Sequence, residues 1–178
     1  MNKSALYVGL MILLLGAIFL LMNVGAIVPF VGEFLRIGRL WPLLIIWASL
    51  WFYLPVFIWW ERRAYNYGLT MPGTIILVNG LILLYCSLTR RWEDWSWLWT
   101  LEPLSVALGL LAMWLLGPKA PALAIAALII GGVSLALMAI MVTLVGGTIG
   151  GIVGAGLLVL LGLILLLRAL IRPATPAA

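Results

Sequence analysis

The densest group of ionisable side chains in this 178-residue chain lies within 13 consecutive positions. It comprises two arginines and three carboxylates, at Arg90, Arg91, Glu93, Asp94 and Glu102. Beside a membrane, such groups can bind a lipid headgroup or exchange protons with one. They can also form a salt-bridged collar at a helix junction, whose long stems cover apolar surface while the charged ends reach water. The sequence favours the collar and leaves headgroup contact open.

Other reactive side chains are scarce. Histidine is absent, which removes the commonest general base and a common metal ligand. Cys86 is the one cysteine; it cannot form a zinc site alone, and no activating base is apparent near it. We interpret it as a small buried apolar residue. The sequence therefore predicts no catalytic residue, no metal site and no cofactor, and a protein that is not an enzyme.

The composition is that of an integral membrane protein. Hydrophobic residues make up 66% of the chain, charged residues 8%, and the mean hydropathy is +1.28. The net charge of +5 comes from basic residues that stand singly or in pairs at the ends of apolar runs. This placement is typical of topology signals, so we expect membrane lipids as partners and no nucleic acid.

Apolar runs of about 20 residues predict the membrane-spanning helices. Four are expected at about Ala5–Val28, Leu40–Trp60, Leu69–Thr89 and Leu98–Leu116. The first is too long for a signal-peptide core and is interpreted as a retained helix. The uncharged run Ala122–Leu167 is too long for one crossing, and a break at Gly146-Gly147 divides it into two nearly equal spans.

Two polar stretches between the spans are predicted to lie at the membrane surface. The segment from Val31 to Leu40 carries Glu33, Arg36 and Arg39 at every third position. The stretch 90–99 holds four tryptophans, whose rings favour the headgroup level, and is predicted to lie flat on the membrane.

Glycine spacing indicates an internal repeat. Gly9 and Gly16 are seven residues apart, as are Gly73 and Gly80, and a proline follows each pair 26 and 23 positions on. A third, degenerate copy has Gly156 25 positions after Gly131. We therefore predict an all-α polytopic membrane protein with six transmembrane helices as three repeated hairpins.

These hairpins are expected to form one transmembrane domain over 1–171, with units at about 5–60, 69–116 and 122–168, followed by a disordered tail at 172–178. Small residues let helix backbones approach closely in membranes. The residues predicted to pack helices in this way are Gly9, Gly16, Gly73, Gly80, Gly146, Gly150 and Gly154.

Six spans bring both termini to one side of the membrane. That side would carry six basic residues, namely Lys3, Arg62, Arg63, Lys119, Arg168 and Arg172. The other side would carry four, at Arg36, Arg39, Arg90 and Arg91. The positive-inside rule therefore predicts cytoplasmic termini in a cell membrane.

Two paired segments resemble the LiaI-LiaF-like transmembrane region of bacterial membrane proteins. Gly9-Leu-Met-Ile-Leu-Leu-Leu-Gly16 is followed by Leu40-Trp-Pro-Leu-Leu-Ile-Ile46. Pro72-Gly-Thr-Ile-Ile-Leu-Val-Asn-Gly80 is followed by Trp97-Leu-Trp-Thr-Leu-Glu-Pro-Leu104. The resemblance covers about two-thirds of the chain well, and it implies a bacterial plasma-membrane protein linked to the cell-envelope stress response.

Three functions remain open. The lack of catalytic residues and the abundance of packing glycines favour a non-catalytic module that binds another membrane protein or a second copy, or perturbs local lipid. A small transporter of a neutral or lipid-like solute would need a polar cavity lined by Asn79, Thr74 or Ser134. An enzyme acting on headgroups would need Glu93, Asp94 and Glu102 to converge.

Overall fold

The computed structural model describes residues 2–27 and 37–171. Across these residues the structure is helical and contains no strand, which confirms the predicted all-α class. The long helices are α1 (Lys3–Ile27), α2 (Pro42–Ile58), α3 (Thr70–Thr89), α4 (Leu101–Leu116), α5 (Pro121–Val145) and α6 (Gly147–Ile171). Short helical turns at Ile37–Leu40, Trp60–Arg62, Arg63–Asn66, Tyr67–Leu69, Trp92–Asp94 and Trp95–Leu98 complete the described chain.

Two predictions fall on residues outside this description. They are the interfacial placement of Glu33 and Arg36 and the disorder of the tail 172–178.

Three helical segments are long and apolar enough to cross a membrane. They are Lys3–Val24, Trp60–Thr89 and Pro121–Val145. A fourth is gained if Trp92–Leu98 and Leu101–Leu116, bent by 61° at a short break, form one broken span. Pro42–Ile58 and Gly150–Ile164 are shorter apolar helices. Length and composition therefore establish three or four spans, fewer than the six predicted.

Successive long helices pack antiparallel in an open row. Each contacts the next along the chain, and the extensive contacts of α1 and α6 are each with one long helix. At one end of the row Lys3 Nζ lies 2.7 Å from Glu61 Oε1, and Tyr67 borders Gly117. At the other end the Ser87 hydroxyl donates to the Arg39 carbonyl over 2.8 Å.

A proline explains how α1 is attached to α2. Pro55 lies inside α2 and lacks an N–H, so it cannot donate to the carbonyl of Trp51, one helical turn earlier. The Tyr7 hydroxyl of α1 donates to that carbonyl over 3.1 Å. One turn further along α1, the indole N–H of Trp47 donates to the Met11 carbonyl over 2.9 Å.

The glycine pair of α3 lies against α2. A Cβ atom built at Gly73 would stand 3.0 Å from Cβ of Phe52, and one built at Gly80 would stand 2.7 Å from Cγ1 of Ile46. The distance at Gly80 is too short for a real side chain and the one at Gly73 is unusually tight, so these two glycines set the separation of α2 and α3.

The tryptophan-rich stretch, residues 90–99, is bent by 61° from α4 and packs against α3 and α5. Asp94 bonds Tyr85, Leu98 packs with Ile82, and Glu102 bonds Asn79. As the chain advances from Asp94 to Glu102, its contact on α3 moves back from Tyr85 to Asn79. Antiparallel neighbours show this order. Burial of Leu98 and part of Trp97 against α3 draws the stretch onto the helix.

The sharp turn between α5 and α6 confirms the break predicted at Gly146-Gly147. α5 ends at Val145, α6 begins at Gly147, and Gly147 has a φ of +65°, a conformation that glycine adopts without steric cost. Beyond the turn α6 runs close to α5, because a Cβ atom at Gly154 would lie 2.6 Å from the Ala139 carbonyl oxygen.

Candidate functional site

The five clustered ionisable residues do not form one site. Arg91, Glu93 and Asp94 surround one cavity, and Arg90 borders a second. Glu102 lies in the first turn of α4 and bonds to α3. The three carboxylates that an enzyme acting on headgroups would need are therefore divided between two places.

Asp94 is the centre of the first group. Its side chain is 8% exposed, and its two carboxylate oxygens have different partners. The Tyr85 hydroxyl donates to Oδ2 over 2.7 Å, and Arg91 Nη2 donates to Oδ1 over 3.2 Å. Arg91 Nε also lies 3.9 Å from Glu93 Oε1. Because two partners from different segments hold it, Asp94 fixes the start of the tryptophan-rich stretch against α3.

A cavity of about 460 Å³ lies beside this group. One wall is formed by Tyr85, Arg91, Glu93, Asp94, Ser96 and Trp97, and the facing wall by Val142, Val145, Gly146 and Gly150 at the α5–α6 turn. The cavity therefore combines charged groups of both signs on one side with apolar surface on the other.

A second cavity, of about 390 Å³, lies on the other side of α3. It is lined by Gly38, Arg39, Ser87, Arg90 and Trp92. Arg90 ends α3 in the left-handed backbone conformation, with a φ of 58°, which turns the chain sharply toward the tryptophan-rich stretch. This turn separates Arg90 from Arg91 and explains why neighbouring residues border different cavities.

Glu102 bonds to the middle of a neighbouring helix. Asn79 is the tenth residue of the 20-residue α3, and its Nδ2 atom donates to Glu102 Oε2 over 2.9 Å and to the Ile75 carbonyl over 3.0 Å. Glu102, although it lies in the first turn of α4, is therefore level with the middle of α3. The break before α4 brings the carboxylate to this depth.

The other polar residues considered for transport are engaged in hydrogen bonds. The Thr74 hydroxyl lies 2.6 Å from the Tyr53 hydroxyl and donates to the Thr70 carbonyl, while buried Ser134 donates to the Thr100 carbonyl. Among the described residues, no buried side-chain nitrogen or oxygen lacks a partner. The cavities of about 460, 390 and 320 Å³ are lined by residues other than Asn79, Thr74 and Ser134.

At the opposite end of the row, an exposed ion pair joins α1 to the turn after α2. Lys3 Nζ donates to both carboxylate oxygens of Glu61 over 2.7 Å. This bond lowers the pKa of the Glu61 carboxyl below its ordinary value. Glu61 lies nine residues before α3 begins, outside the stretch of about 20 residues that a crossing needs.

The two glycine pairs of the repeat have different surroundings. The glycines of α3 pack against α2, as described above. A Cβ atom built at Gly9 or Gly16 would meet no atom of the described residues within 4 Å. Gly9 and Gly16 lie on the face of α1 opposite Tyr7 and Met11, because successive residues are turned by about 100°. Among residues 2–27 and 37–171, nothing covers the packing surface predicted on α1.

The glycines of the last two helices are partly packed. A Cβ atom at Gly150 would lie 3.2 Å from the Val142 carbonyl oxygen, and Gly154 has the close approach to α5 described above. Gly146 ends α5, and its N–H donates to the Val142 carbonyl over 2.9 Å. These three glycines therefore belong to the α5–α6 hairpin.

Sequence reasoning missed two parts of the candidate site. Tyr85 is four residues from the end of α3 and nine before Asp94, a spacing that no local pattern links to the carboxylate. The apolar wall comes from the α5–α6 turn, more than 40 residues later in the chain. An antiparallel pairing of α3 with the segment that follows it would have predicted the contact between Tyr85 and Asp94.

No group of three or more potential metal-ligating side chains occurs in the parts of the chain at 2–27 and 37–171. Comparison with protein-family models, curated proteins and solved structures found no match to this chain.

Proposed function

We propose that this chain is a non-catalytic integral membrane protein whose α1 helix binds a transmembrane helix of another membrane protein. The observation that carries the proposal is the contrast between the two glycine pairs. Gly73 and Gly80 pack against α2. Gly9 and Gly16 have the same spacing, but no atom of the described residues lies against them. Helices in membranes associate through close packing at small residues, so the open pair is an unoccupied copy of a surface used within the chain.

The pairing of α2 with α3 indicates what the partner presents. Ile46 and Phe52, nearly two helical turns apart on α2, cover the glycines of α3. We expect the partner helix to offer bulky apolar side chains at a similar spacing. Exposed apolar side chains at Ile12, Leu13 and Leu20, each at least 65% exposed, extend the α1 surface around the glycines.

The membrane arrangement that we propose has six spans in three hairpins, with both termini in the cytoplasm of a bacterial cell. The antiparallel row of helices supports it. Among the described residues, the end of the row near Lys3 carries the basic residues Lys3, Arg62, Arg63 and Lys119, against Arg39, Arg90 and Arg91 at the other end. The resemblance to the LiaI-LiaF-like region supports a role in the cell-envelope stress response.

Photo-crosslinking in native membranes tests the association. A photoreactive residue at Leu13, between the two glycines, should give one protein adduct of defined mass, identified by mass spectrometry. The matched position is Leu128 of α5, which is 74% exposed and should give only lipid adducts. Gly16→Leu should abolish the protein adduct. Equal adducts from both positions, no protein adduct, or an adduct only with a second copy of this chain would contradict the proposal.

A transporter of a neutral or lipid-like solute is the second candidate. The broken span before α4 favours it, because broken helices form the substrate sites of many transporters near the membrane midplane, and here the break lies beside Asn79 and Glu102. Uptake into proteoliposomes that Asn79→Ala abolishes would favour this candidate. It has less support than partner binding because Asn79, Thr74 and Ser134 hydrogen-bond to neighbouring groups.

A further inference from the structure

The cavity between the α3–α4 connection and the α5–α6 turn has three charged groups. The single guanidinium of Arg91 faces two carboxylates, Asp94 at 3.2 Å and Glu93 at 3.9 Å. The group therefore carries one excess negative charge. A wholly anionic ligand is repelled by it, whereas a ligand that carries its own cation is not.

The two carboxylates differ in what they can still bind. Asp94 is nearly buried and is already bonded to Tyr85 and Arg91. The Glu93 side chain is 74% exposed, and a carboxylate can accept several hydrogen bonds. Arg91 has five N–H donors, of which the contact with Asp94 uses one, so it can also donate to an oxyanion. Arg91, which can bind an anion, thus lies beside Glu93, which can bind a cation.

The position and shape of the cavity match a lipid. Tyr85 lies four residues before the end of α3, about 6 Å along the helix, which corresponds to the boundary between headgroups and acyl chains. Trp97 lines the same wall, and indole rings favour this level. Opposite them Val142 and Val145 offer apolar surface that leads along α5 toward the hydrocarbon, and about 460 Å³ is an ordinary volume for a small-ligand site.

We propose that this cavity binds the headgroup of a phospholipid that carries both a phosphate and a primary ammonium group. The phosphate accepts hydrogen bonds from Arg91, the ammonium donates to Glu93, and the acyl chains lie along Val142 and Val145. A primary ammonium has three N–H donors for a carboxylate. A quaternary ammonium has none and is usually bound by a cage of aromatic rings, so the site should discriminate between the two zwitterionic headgroups.

The test uses the purified full-length chain in detergent. Binding of dioctanoyl phosphatidylethanolamine, phosphatidylcholine and phosphatidylglycerol is measured by native mass spectrometry. We expect the ethanolamine lipid to bind about tenfold more tightly than either of the others, as one charge-assisted hydrogen bond provides. Equal affinity for the three lipids, or a preference for phosphatidylglycerol, would overturn the proposal.

Two substitutions separate the contribution of the phosphate contact from that of the ammonium contact. Glu93→Gln should weaken binding of the ethanolamine lipid about tenfold and leave the choline lipid unchanged, since it removes the negative charge that strengthens the bond to the ammonium. Arg91→Gln should weaken both, because both contain the phosphate. Glu61→Gln, at the opposite end of the row, is the matched control and should change neither. If Arg91→Gln does not fold, Glu93→Gln still decides, and unchanged ethanolamine binding in it contradicts the proposal.

The inference requires that the chain lies in a membrane but does not require a protein partner. A lack of crosslinking at α1 and a lack of headgroup selectivity are separate results, so either proposal can fail without the other.

Discussion

Asn79 shows how one polar side chain joins two helices of an otherwise apolar protein. Its amide bonds to the carbonyl four residues earlier, which keeps it satisfied within α3, and to the Glu102 carboxylate of α4. Glu102 is only partly exposed, so little water can replace that donor. The bond therefore stabilises the α3–α4 contact chiefly because breaking it leaves polar groups of both side chains unpaired.

Asn79→Ala should lower the free energy of unfolding by about 1–2 kcal/mol, the range for hydrogen bonds between membrane helices. The measurement is unfolding by sodium dodecyl sulfate in mixed micelles. Asn23→Ala is the matched control, because Asn23 also donates to the carbonyl four residues earlier, that of Phe19, but is exposed and bonds to no other helix of the described residues. Equal losses for the two variants would show that the bond to Glu102 contributes nothing.

Asp94 and Cys86 illustrate what residue types alone can and cannot predict. The sequence correctly suggested a buried apolar environment for Cys86, because most of its neighbours in the run are apolar. It placed Asp94 in an exposed collar, whereas this carboxyl is nearly buried beneath Tyr85 and Arg91. The difference arises because burial of a charge depends on partners brought by other segments.

At the scale of the helices, boundaries were largely predictable and contacts were not. Prolines, charges and the Gly146-Gly147 pair end apolar runs, so the predicted limits of α1 to α4 and the break between α5 and α6 lie within three residues of the observed ones. The glycine pairs of α1 and α3 look alike in sequence, yet one is packed and the other is open. Periodicity reports which face of a helix can pack closely, and tertiary structure decides whether a neighbour is there.

This contrast gives a prediction for a matched pair of substitutions. In Gly80→Ala the new Cβ atom would lie 2.7 Å from Ile46 Cγ1 and 3.1 Å from the Ile46 backbone nitrogen, so α2 must move. We expect a loss of about 1–3 kcal/mol in unfolding free energy, as for other overpacked contacts. In Gly16→Ala the Cβ atom meets nothing within 4 Å, and the higher helix propensity of alanine should leave the stability unchanged or raise it by about 1 kcal/mol.

Both variants are compared by unfolding of the purified chain, in the absence of any partner. Equal destabilisation would mean that Gly16 is also packed, which would remove the basis for an open surface on α1. Gly16→Ala in native membranes should, in addition, weaken the crosslink formed from Leu13.

The whole molecule is an open row of antiparallel helices whose two ends differ in charge. Described residues at the end near Lys3 include four basic side chains and the single acidic Glu61, a net charge of +3. Those at the opposite end, Arg39, Arg90, Arg91, Glu93 and Asp94, give a net charge of +1. From the positive-inside rule we propose that the more basic end lies in the cytoplasm and that the less basic end, which contains the proposed headgroup cavity, faces outward.

The number of crossings can be tested with single cysteines on a Cys86→Ala background, since Cys86 is fully buried. A membrane-impermeant maleimide applied to intact cells should label Ser96→Cys and Thr148→Cys, and should label Ser4→Cys and Ala64→Cys only after permeabilisation. All four native residues are exposed, so access to each depends on the side of the membrane. If the short helix α2 did not cross, Ser4 and Ala64 would lie on opposite sides, and their unequal labelling would contradict six spans. Equal labelling would agree with the Lys3–Glu61 ion pair, which already joins the two segments at one end of the row.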